Sequence, residues 1–236
     1  MTFNRGKRRM GSAEEHRGTC RGGRAGHLAL ILVLAAALAG CGSFVDKPVQ
    51  RALYDFGPDA PAAAPAGQGR QPALALAEVE ASGALESAAV LYRLGYADSH
   101  ELRPYAQARW SAPPAQLVRH RLRDQLGRDR VILNFGESTA LAREGAAMPR
   151  LLRLELEEFS HYFDGPAQSF GLVRMRATLL ENTPAGERLL AQRSFSMRKP
   201  AGSADAPGAV RALVAATDAV AEDIAQWLRQ AGGAAP

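Results

Sequence analysis

Apolar and polar residues alternate along three stretches in the second half of the chain, residues 151–159, 171–180 and 188–198. In the first stretch, three leucines are separated by charged residues, and the second stretch has the same period. A period of two is typical of a β-strand with one face in the core and the other in water. The third stretch also predicts a strand, with four apolar residues on its core face: Leu189, Ala191, Phe195 and Met197. Arg193 falls on the same face and is an exception to the pattern.

Five further strands are predicted from shorter apolar runs that are bounded by glycine, proline or polar residues. They cover residues 50–56, 73–80, 89–96, 103–110 and 130–135. We expect a turn at residues 97–99 and a hairpin loop at residues 182–186. The alanine-, proline- and glycine-rich residues 57–72 predict a flexible loop within the domain.

Two helices are predicted from apolar residues that recur at intervals of three and four. The first covers residues 113–126, where Val118, Leu122 and Leu126 form an apolar stripe. The second covers residues 207–230. The order of strands, helix, strands and helix indicates an α+β fold, with an antiparallel or mixed sheet and both helices packed on one face.

A basic segment and a short apolar segment precede these elements. Residues 1–27 contain seven arginine and lysine side chains and two glutamates, and residues 28–38 carry no charged side chain. As a helix, eleven residues are only about 16 Å long, roughly half the hydrocarbon core of a bilayer. The pattern therefore indicates a secretory signal peptide over residues 1–40 and not a membrane span.

The end of this segment, Leu38-Ala39-Gly40-Cys41, resembles the lipobox of bacterial lipoproteins. The resemblance implies cleavage between Gly40 and Cys41, diacylglycerol on the Cys41 thiol, and acylation of the new amino group, by palmitate for example. Several acyl chains hold a protein on a membrane, whereas one chain binds only marginally. Gly42 in place of an aspartate points, by resemblance, to the periplasmic face of the outer membrane. The alternative is an ordinary signal peptide with a cysteine near its cleavage site.

The signal peptide accounts for the net positive charge of the sequence. Of 29 basic and 24 acidic residues, seven and two lie within residues 1–40, so the remaining chain has 22 of each. This balance gives no indication of a nucleic-acid partner. Cys20 lies in the signal peptide and Cys41 is the expected lipid site, so no thiol remains for a disulfide or a metal site. The expected division is a tether over residues 41–49, a domain over 50–230 and a tail over 231–236.

The mature sequence contains a distinctive series of segments: residues 51–57, 91–98 and 102–110, the helix that begins at Pro113-Pro114, and residues 153–159 with the hairpin and helix after them. This series resembles the ABC-type transport auxiliary lipoprotein component family, to which the lipoprotein of the paraquat-inducible intermembrane transport system is related. The resemblance implies an accessory role beside an ABC permease, an ATPase and a mammalian-cell-entry-domain protein, which together move lipids or other apolar compounds between membranes. It implies an outer-membrane docking or assembly module without enzymatic activity and without a cofactor. Self-association is left open.

Tyr105, Arg109 and Trp110 are the candidate partner-binding residues. They lie in the most specific part of the resemblance, and tryptophan, tyrosine and arginine are enriched at binding hot spots. The alternative is that Trp110 anchors the core while Arg109 pairs with a carboxylate. Three tyrosines are candidates either for the lining of an apolar groove or for core positions: Tyr92, Tyr96 and Tyr105.

The sequence gives little indication of catalysis or metal binding. The mature histidines are isolated and lack the spacing of a zinc site: His100, His120 and His161. Glu155, Glu157 and Glu158 resemble a carboxylate cluster, but Glu155 and Glu157 share one face of a strand and are interpreted as like charges on its wet face. These two could pair across strands with Arg174 and Arg176, in an unknown register. Two rival functions remain, a purely structural envelope lipoprotein and a secreted lipoprotein hydrolase with an unrecognised site.

Overall fold

A computed structural model describes residues 50–58, 71–134, 136, 148–183 and 185–233. The predicted signal peptide, the tether and Cys41 lie outside these residues, as does most of the predicted loop at 57–72. The described residues form eight strands and two α-helices. The strands are β1 (Ala52–Tyr54), β2 (Leu74–Ala81), β3 (Ala89–Leu94), β4 (Asp98–Trp110), β5 (Ile132–Asn134), β6 (Arg150–Gly165), β7 (Gln168–Thr183) and β8 (Gly186–Pro200), and the helices are α1 (Pro114–Leu126) and α2 (Ala206–Gly233).

All eight strands belong to one mixed sheet that is organised around β6. On one side, β6 pairs antiparallel with β7, and β7 pairs antiparallel with β8. On the other side, the first half of β6 pairs in parallel with β2 and its second half pairs in parallel with β3. β5 extends the sheet beyond β2, whereas β4 and then β1 extend it beyond β3. The sheet therefore branches at β6.

Both helices pack on the same face of this sheet. The predicted apolar stripe of α1 is fully buried. It shares one core cluster with Leu152 and Leu154 of β6 and with Leu213 and Ile224 of α2. The alternating leucines of β6 thus face the helices, and the charged residues between them lie on the opposite face. This arrangement confirms the predicted α+β fold, with a mixed sheet and two helices on one face.

α2 lies directly against the backbone of β7 at Gly171. A Cβ atom added to this residue would lie 2.6 Å from both the carbonyl carbon of Ala212 and the amide nitrogen of Leu213. A carbon atom does not approach backbone atoms so closely without displacing them, so only glycine fits here without a shift of the helix. The glycine therefore sets the distance between α2 and the sheet.

The predicted core position of Leu189 is wrong. Leu179 of β7 pairs with Ala191, whereas the next residue, Leu180, pairs with Leu189. Leu190 is consequently an extra residue in β8, and this β-bulge reverses the alternation of the strand. Leu189 is 60% exposed as a result, and Leu190 packs against the core instead.

The other element boundaries differ from the sequence prediction by at most three residues, except that β4 begins five residues earlier and β6 ends six residues later than predicted. The turn predicted at residues 97–99 lies at residues 95–97, and β4 already begins at Asp98. In the part of the chain that the structure describes, no helix has the length and apolar content needed to cross a bilayer.

Candidate functional site

The three candidate partner-binding residues all lie on β4, close to where β1 joins the sheet. β1 pairs with β4 in parallel, with Leu53 opposite Arg109 and Tyr54 opposite Trp110. The amide of Ser111 donates a hydrogen bond of 2.7 Å to the carbonyl oxygen of Tyr54, which fixes the end of β4 against β1. Two strands from distant parts of the sequence thus form one edge of the sheet.

Trp110 is a core residue. Its side chain is fully buried, and its ring centroid lies 5.6 Å from those of Phe56 and Phe159. Both contacts have the tilted or edge-to-face geometry that aromatic rings prefer. A side chain without exposed surface has nothing to present to a partner, so the structure supports the core interpretation of Trp110. Its role at this edge is to hold the segment after β1 and the strand β6 in place.

Arg109, by contrast, is exposed. Within the described residues no carboxylate lies within ion-pair distance of its guanidinium, so the alternative of a structural ion pair is not seen. Leu53, its register partner on β1, is 63% exposed. An apolar side chain and a cation therefore lie side by side on the surface.

A shallow cavity of about 410 Å³ adjoins this pair, between β1 and α2. Its walls include Leu53 and Phe56 on one side and Val210 and Val214 on the other. We call Leu53, Arg109, Val210 and Val214 the β1 surface. The depression is lined by these apolar residues together with Asp55, Arg211 and Asp218, and Leu53 connects it to Arg109, its register partner. Apolar residues and arginine are enriched at protein-binding sites.

Tyr105 precedes Arg109 and Trp110 on β4, and its side chain is half-buried. Its hydroxyl is 2.8 Å from Nδ1 of His161 on β6, and its ring centroid is 4.8 Å from that of Tyr92 on β3. Tyr96 lies beyond this cluster and is 49% exposed. The three tyrosines therefore do not line one groove, since Tyr92 and Tyr105 pack together as partly buried residues.

Burial determines the protonation of this tyrosine–histidine pair. His161 is fully buried, and the loss of solvation lowers its pKa to about 4. Burial likewise raises the pKa of Tyr105. Both groups are therefore neutral near pH 7, and a single hydrogen bond joins the tyrosine hydroxyl to Nδ1 of the imidazole, the tautomer of which sets the donor. The bond joins β4 to β6 across β3, and Nε2 of His161 is buried without a hydrogen-bond partner among the described atoms.

The glutamate cluster forms ion pairs on the face of the sheet opposite the helices. Arg176 of β7 contacts the carboxylate of Glu155, its register partner, at 3.3 Å, and also that of Glu157. Glu158 lies opposite Arg174 but binds Arg93 of β3, at 3.2 Å. The predicted pairing is thus confirmed for Arg176. Glu155 lies on the solvated face as predicted, whereas Glu157 and Glu158 are partly buried in their ion pairs. Among the described residues, no group of three histidine, cysteine, aspartate or glutamate side chains is placed to hold a metal ion.

Comparison with known proteins decides the class to which the chain belongs. The model of the ABC-type transport auxiliary lipoprotein component family matches residues 54–225, which includes the sheet from β2 to β8, both helices up to residue 225, and all three candidate residues on β4. The chain belongs to this family.

Two solved structures resemble that of this auxiliary lipoprotein. One is protein XCC0632 from Xanthomonas campestris, of family DUF330, which is 18% identical with a TM-score of 0.61 over 77% of this chain and 96% of the other. The second is an uncharacterized protein, 14% identical with a TM-score of 0.53 over 76% of this chain and 99% of the other. At these identities the resemblance shows the fold alone. No curated protein matches the chain.

Two features of the auxiliary lipoprotein could not be predicted from its sequence. His161, as the partner of Tyr105, lies 56 residues away and has no motif around it. Leu53 belongs to a predicted strand, but its exposure depends on β1 being an edge strand of only three residues. Cys41 and Gly40, the predicted anchor and cleavage site, lie outside the described residues.

Proposed function

We propose that this auxiliary lipoprotein is the lipid-anchored accessory component of an ABC transport system that includes a mammalian-cell-entry-domain protein and moves lipids or other apolar compounds between the two membranes. The match of residues 54–225 to the family carries this proposal. The partners are the ABC permease, its ATPase and the mammalian-cell-entry-domain protein. ATP hydrolysis belongs to another polypeptide, because the sequence contains no phosphate-binding motif of the form GxxxxGK[ST].

The anchor defines where this module acts. We propose that Cys41 carries the lipid and holds the domain on the periplasmic face of the outer membrane. Ten residues lie between Cys41 and Ala52, the first residue of β1, so the two are eleven Cα–Cα steps apart. Even fully extended, such a segment spans at most about 40 Å. The β1 surface would therefore stay close to the membrane and within reach of a protein that crosses the periplasm.

We further propose that the β1 surface binds the mammalian-cell-entry-domain protein. Leu53 offers exposed apolar area, and the depression formed by Phe56, Val210 and Val214 is large enough for an anchoring side chain of the partner. Arg109, which has no carboxylate partner among the described residues, supplies the charge that orients the contact. Tyr105 contributes indirectly, since its bond to His161 fixes β4 in the sheet.

Co-purification of the full-length chain from its native membranes in detergent tests the proposal. The wild-type chain should recover the mammalian-cell-entry-domain protein together with the permease. The variant Leu53→Asp/Arg109→Glu should reduce this recovery at least about tenfold, equivalent to about 1.4 kcal/mol of lost binding free energy. The control is Val131→Asp/Arg128→Glu, which alters an exposed valine (55% exposed) and an exposed arginine away from β1 and should leave recovery unchanged.

The outcomes test the proposed transport role and the proposed docking at the β1 surface independently. Recovery of no transport protein by the wild-type chain would contradict the proposed function and favour a structural envelope lipoprotein. Full recovery by the Leu53→Asp/Arg109→Glu variant would leave the role standing and refute the β1 surface as the docking site. Mass spectrometry of the mature amino terminus, compared with Cys41→Ser, tests the anchor: an unmodified chain in both would refute it.

A further inference from the structure

β8 forms a long outer edge of the sheet. It pairs with β7 from Gly186 to Pro200, and within the described residues no strand pairs with its other side. From Ala191 to Pro200 the register with β7 is unbroken. Proteins usually keep exposed edge strands short or interrupt them, because the free amide and carbonyl groups pair readily with another strand. Fifteen residues are long for such an edge.

The edge also carries positive charge that is not neutralised. Arg193, Arg198 and Lys199 have no carboxylate within ion-pair distance among the described residues, and the same holds for Arg174, which lies opposite Ser196 on β7. By contrast, three arginines of β6, β7 and β8 outside this group are ion-paired: Arg153 with Glu187, Arg176 with Glu155 and Glu157, and Arg188 with Glu181.

Two of the edge arginines are held in place by aromatic rings. The guanidinium carbon of Arg198 lies 4.7 Å from the ring centroid of Phe170, and that of Arg193 lies 5.2 Å from that of Phe195. A guanidinium that stacks on a ring keeps the N–H groups of its edge available for a carboxylate. These side chains are therefore positioned cations and not freely moving ones.

Pairing with a second copy of the same edge would bring together two strands of net positive charge in any register, since β8 contains four basic residues and one acidic residue. In a two-fold antiparallel arrangement centred on Arg193, that residue would face its own copy, and Arg188 would face Arg198. Like charges directly opposite each other across strands are destabilising. An acidic strand, in contrast, would place carboxylates opposite these arginines.

We propose that the β8 edge binds an extended acidic segment of a partner polypeptide by strand addition. Main-chain hydrogen bonds would provide the ladder, and alternate side chains would provide the specificity. Arg193 and Lys199 pair with Ala177 and Gly171, which face the helices, so carboxylates on that face of the added strand meet these two cations. Carboxylates on the opposite face meet Arg198. This binding is independent of the role proposed for the β1 surface.

Fluorescence anisotropy with a labelled peptide of alternating glutamate and valine, added to the full-length lipidated chain in detergent micelles, tests the proposal. Binding should be saturable and should weaken with added salt. The variant Arg193→Glu/Arg198→Glu should weaken it at least about tenfold. The variant Arg51→Glu/Arg128→Glu makes the same change of net charge at exposed sites off this edge and should bind as the wild type does.

Two altered peptides test the mechanism on the wild-type chain itself, so the result does not depend on the folding of any variant. A peptide with lysine in place of glutamate should not bind. A peptide with the same glutamates but N-methylated at every residue has no amide N–H on either of its edges, so it cannot form the ladder and should also fail to bind. Absence of binding by the first peptide, equal binding of the lysine peptide, or equal binding of the N-methylated peptide would each overturn the proposal. So would an oligomer of the wild-type chain that dissociates in Arg193→Glu/Arg198→Glu, since the edge would then be occupied by a second copy.

Discussion

The guanidinium of Arg121 on α1 binds both carboxylate oxygens of Asp218 on α2. Nε of Arg121 lies 2.5 Å from Oδ1, and Nη2 lies 2.9 Å from Oδ2. Both side chains are partly buried, with 15% and 33% of their surface exposed. Two parallel charge-assisted hydrogen bonds in such an environment are stronger than a surface ion pair. The pair therefore fixes the two helices to each other beside the depression of the β1 surface, which Asp218 also lines.

Replacement of Asp218 by asparagine should lower the free energy of unfolding by about 1–2 kcal/mol, because the charge-assisted hydrogen bonds to Arg121 are weakened and the Asp218 carboxylate no longer faces the guanidinium. Urea unfolding of the two proteins at pH 7 measures the difference. Glu222→Gln, one turn further along α2 at an exposed position, is the matched control and should change the free energy by less than about 0.5 kcal/mol. Equal effects of the two substitutions would mean that the Arg121–Asp218 pair adds no stability.

Gly171→Ala should destabilise the fold by about 1–3 kcal/mol, because the new Cβ would require α2 to move away from β7. The matched control is Gly165→Ala at the end of β6, where an added Cβ meets no atom within 4 Å. Thermal unfolding of both variants measures the effect. Similar midpoints for Gly171→Ala and Gly165→Ala would show that α2 adjusts its position without loss of stability.

The alternation of residue types was sufficient to predict the central strands, because strand parity converts directly into the face on which a side chain lies. Leu152 and Leu154 occupy the helix-covered face for this reason. The same rule failed at Leu189, since the extra residue Leu190 reverses the parity and no residue type at that position indicates a bulge. Local pattern therefore predicts a strand better than it predicts its irregularities.

The candidate site was only partly predictable from sequence. The resemblance located Tyr105, Arg109 and Trp110 on one strand, and the choice between exposure and burial for Trp110 required knowledge of what packs on β4. Periodicity within a strand gives no information on which distant strand becomes its neighbour. The contact of Tyr105 with His161, across β3, depends on that missing information.

Tyr105→Phe removes a hydroxyl that is hydrogen-bonded to the buried Nδ1 of His161. It should lower the free energy of unfolding by about 1–3 kcal/mol, since Nδ1 of His161 would remain buried without a partner. Tyr96→Phe removes an exposed hydroxyl and should change the free energy by less than about 0.5 kcal/mol. Urea unfolding at pH 7 compares the two variants. A loss for Tyr105→Phe no greater than that for Tyr96→Phe would show that solvent replaces the missing bond.

His161 should make the stability of the domain sensitive to moderate acid. Its pKa in the folded chain is lowered to about 4 by burial, whereas a histidine in an unfolded chain titrates near about 6.5. Between these two values the unfolded chain binds more protons than the folded chain, so each fall in pH favours unfolding. The contribution of His161 to stability is therefore complete above about pH 6.5 and is lost progressively as the pH falls towards about 4.

The expected size of this effect between pH 7 and pH 5 is about 2 kcal/mol, which urea unfolding resolves. His161→Gln removes the titrating group, and although it is less stable at pH 7, its free energy of unfolding should depend less on pH over this range. His100→Gln, an exposed histidine on β4, should keep the wild-type pH dependence. An equal loss of unfolding free energy by the wild type and His161→Gln between pH 7 and pH 5 would contradict this prediction. The acid sensitivity would then come from other groups.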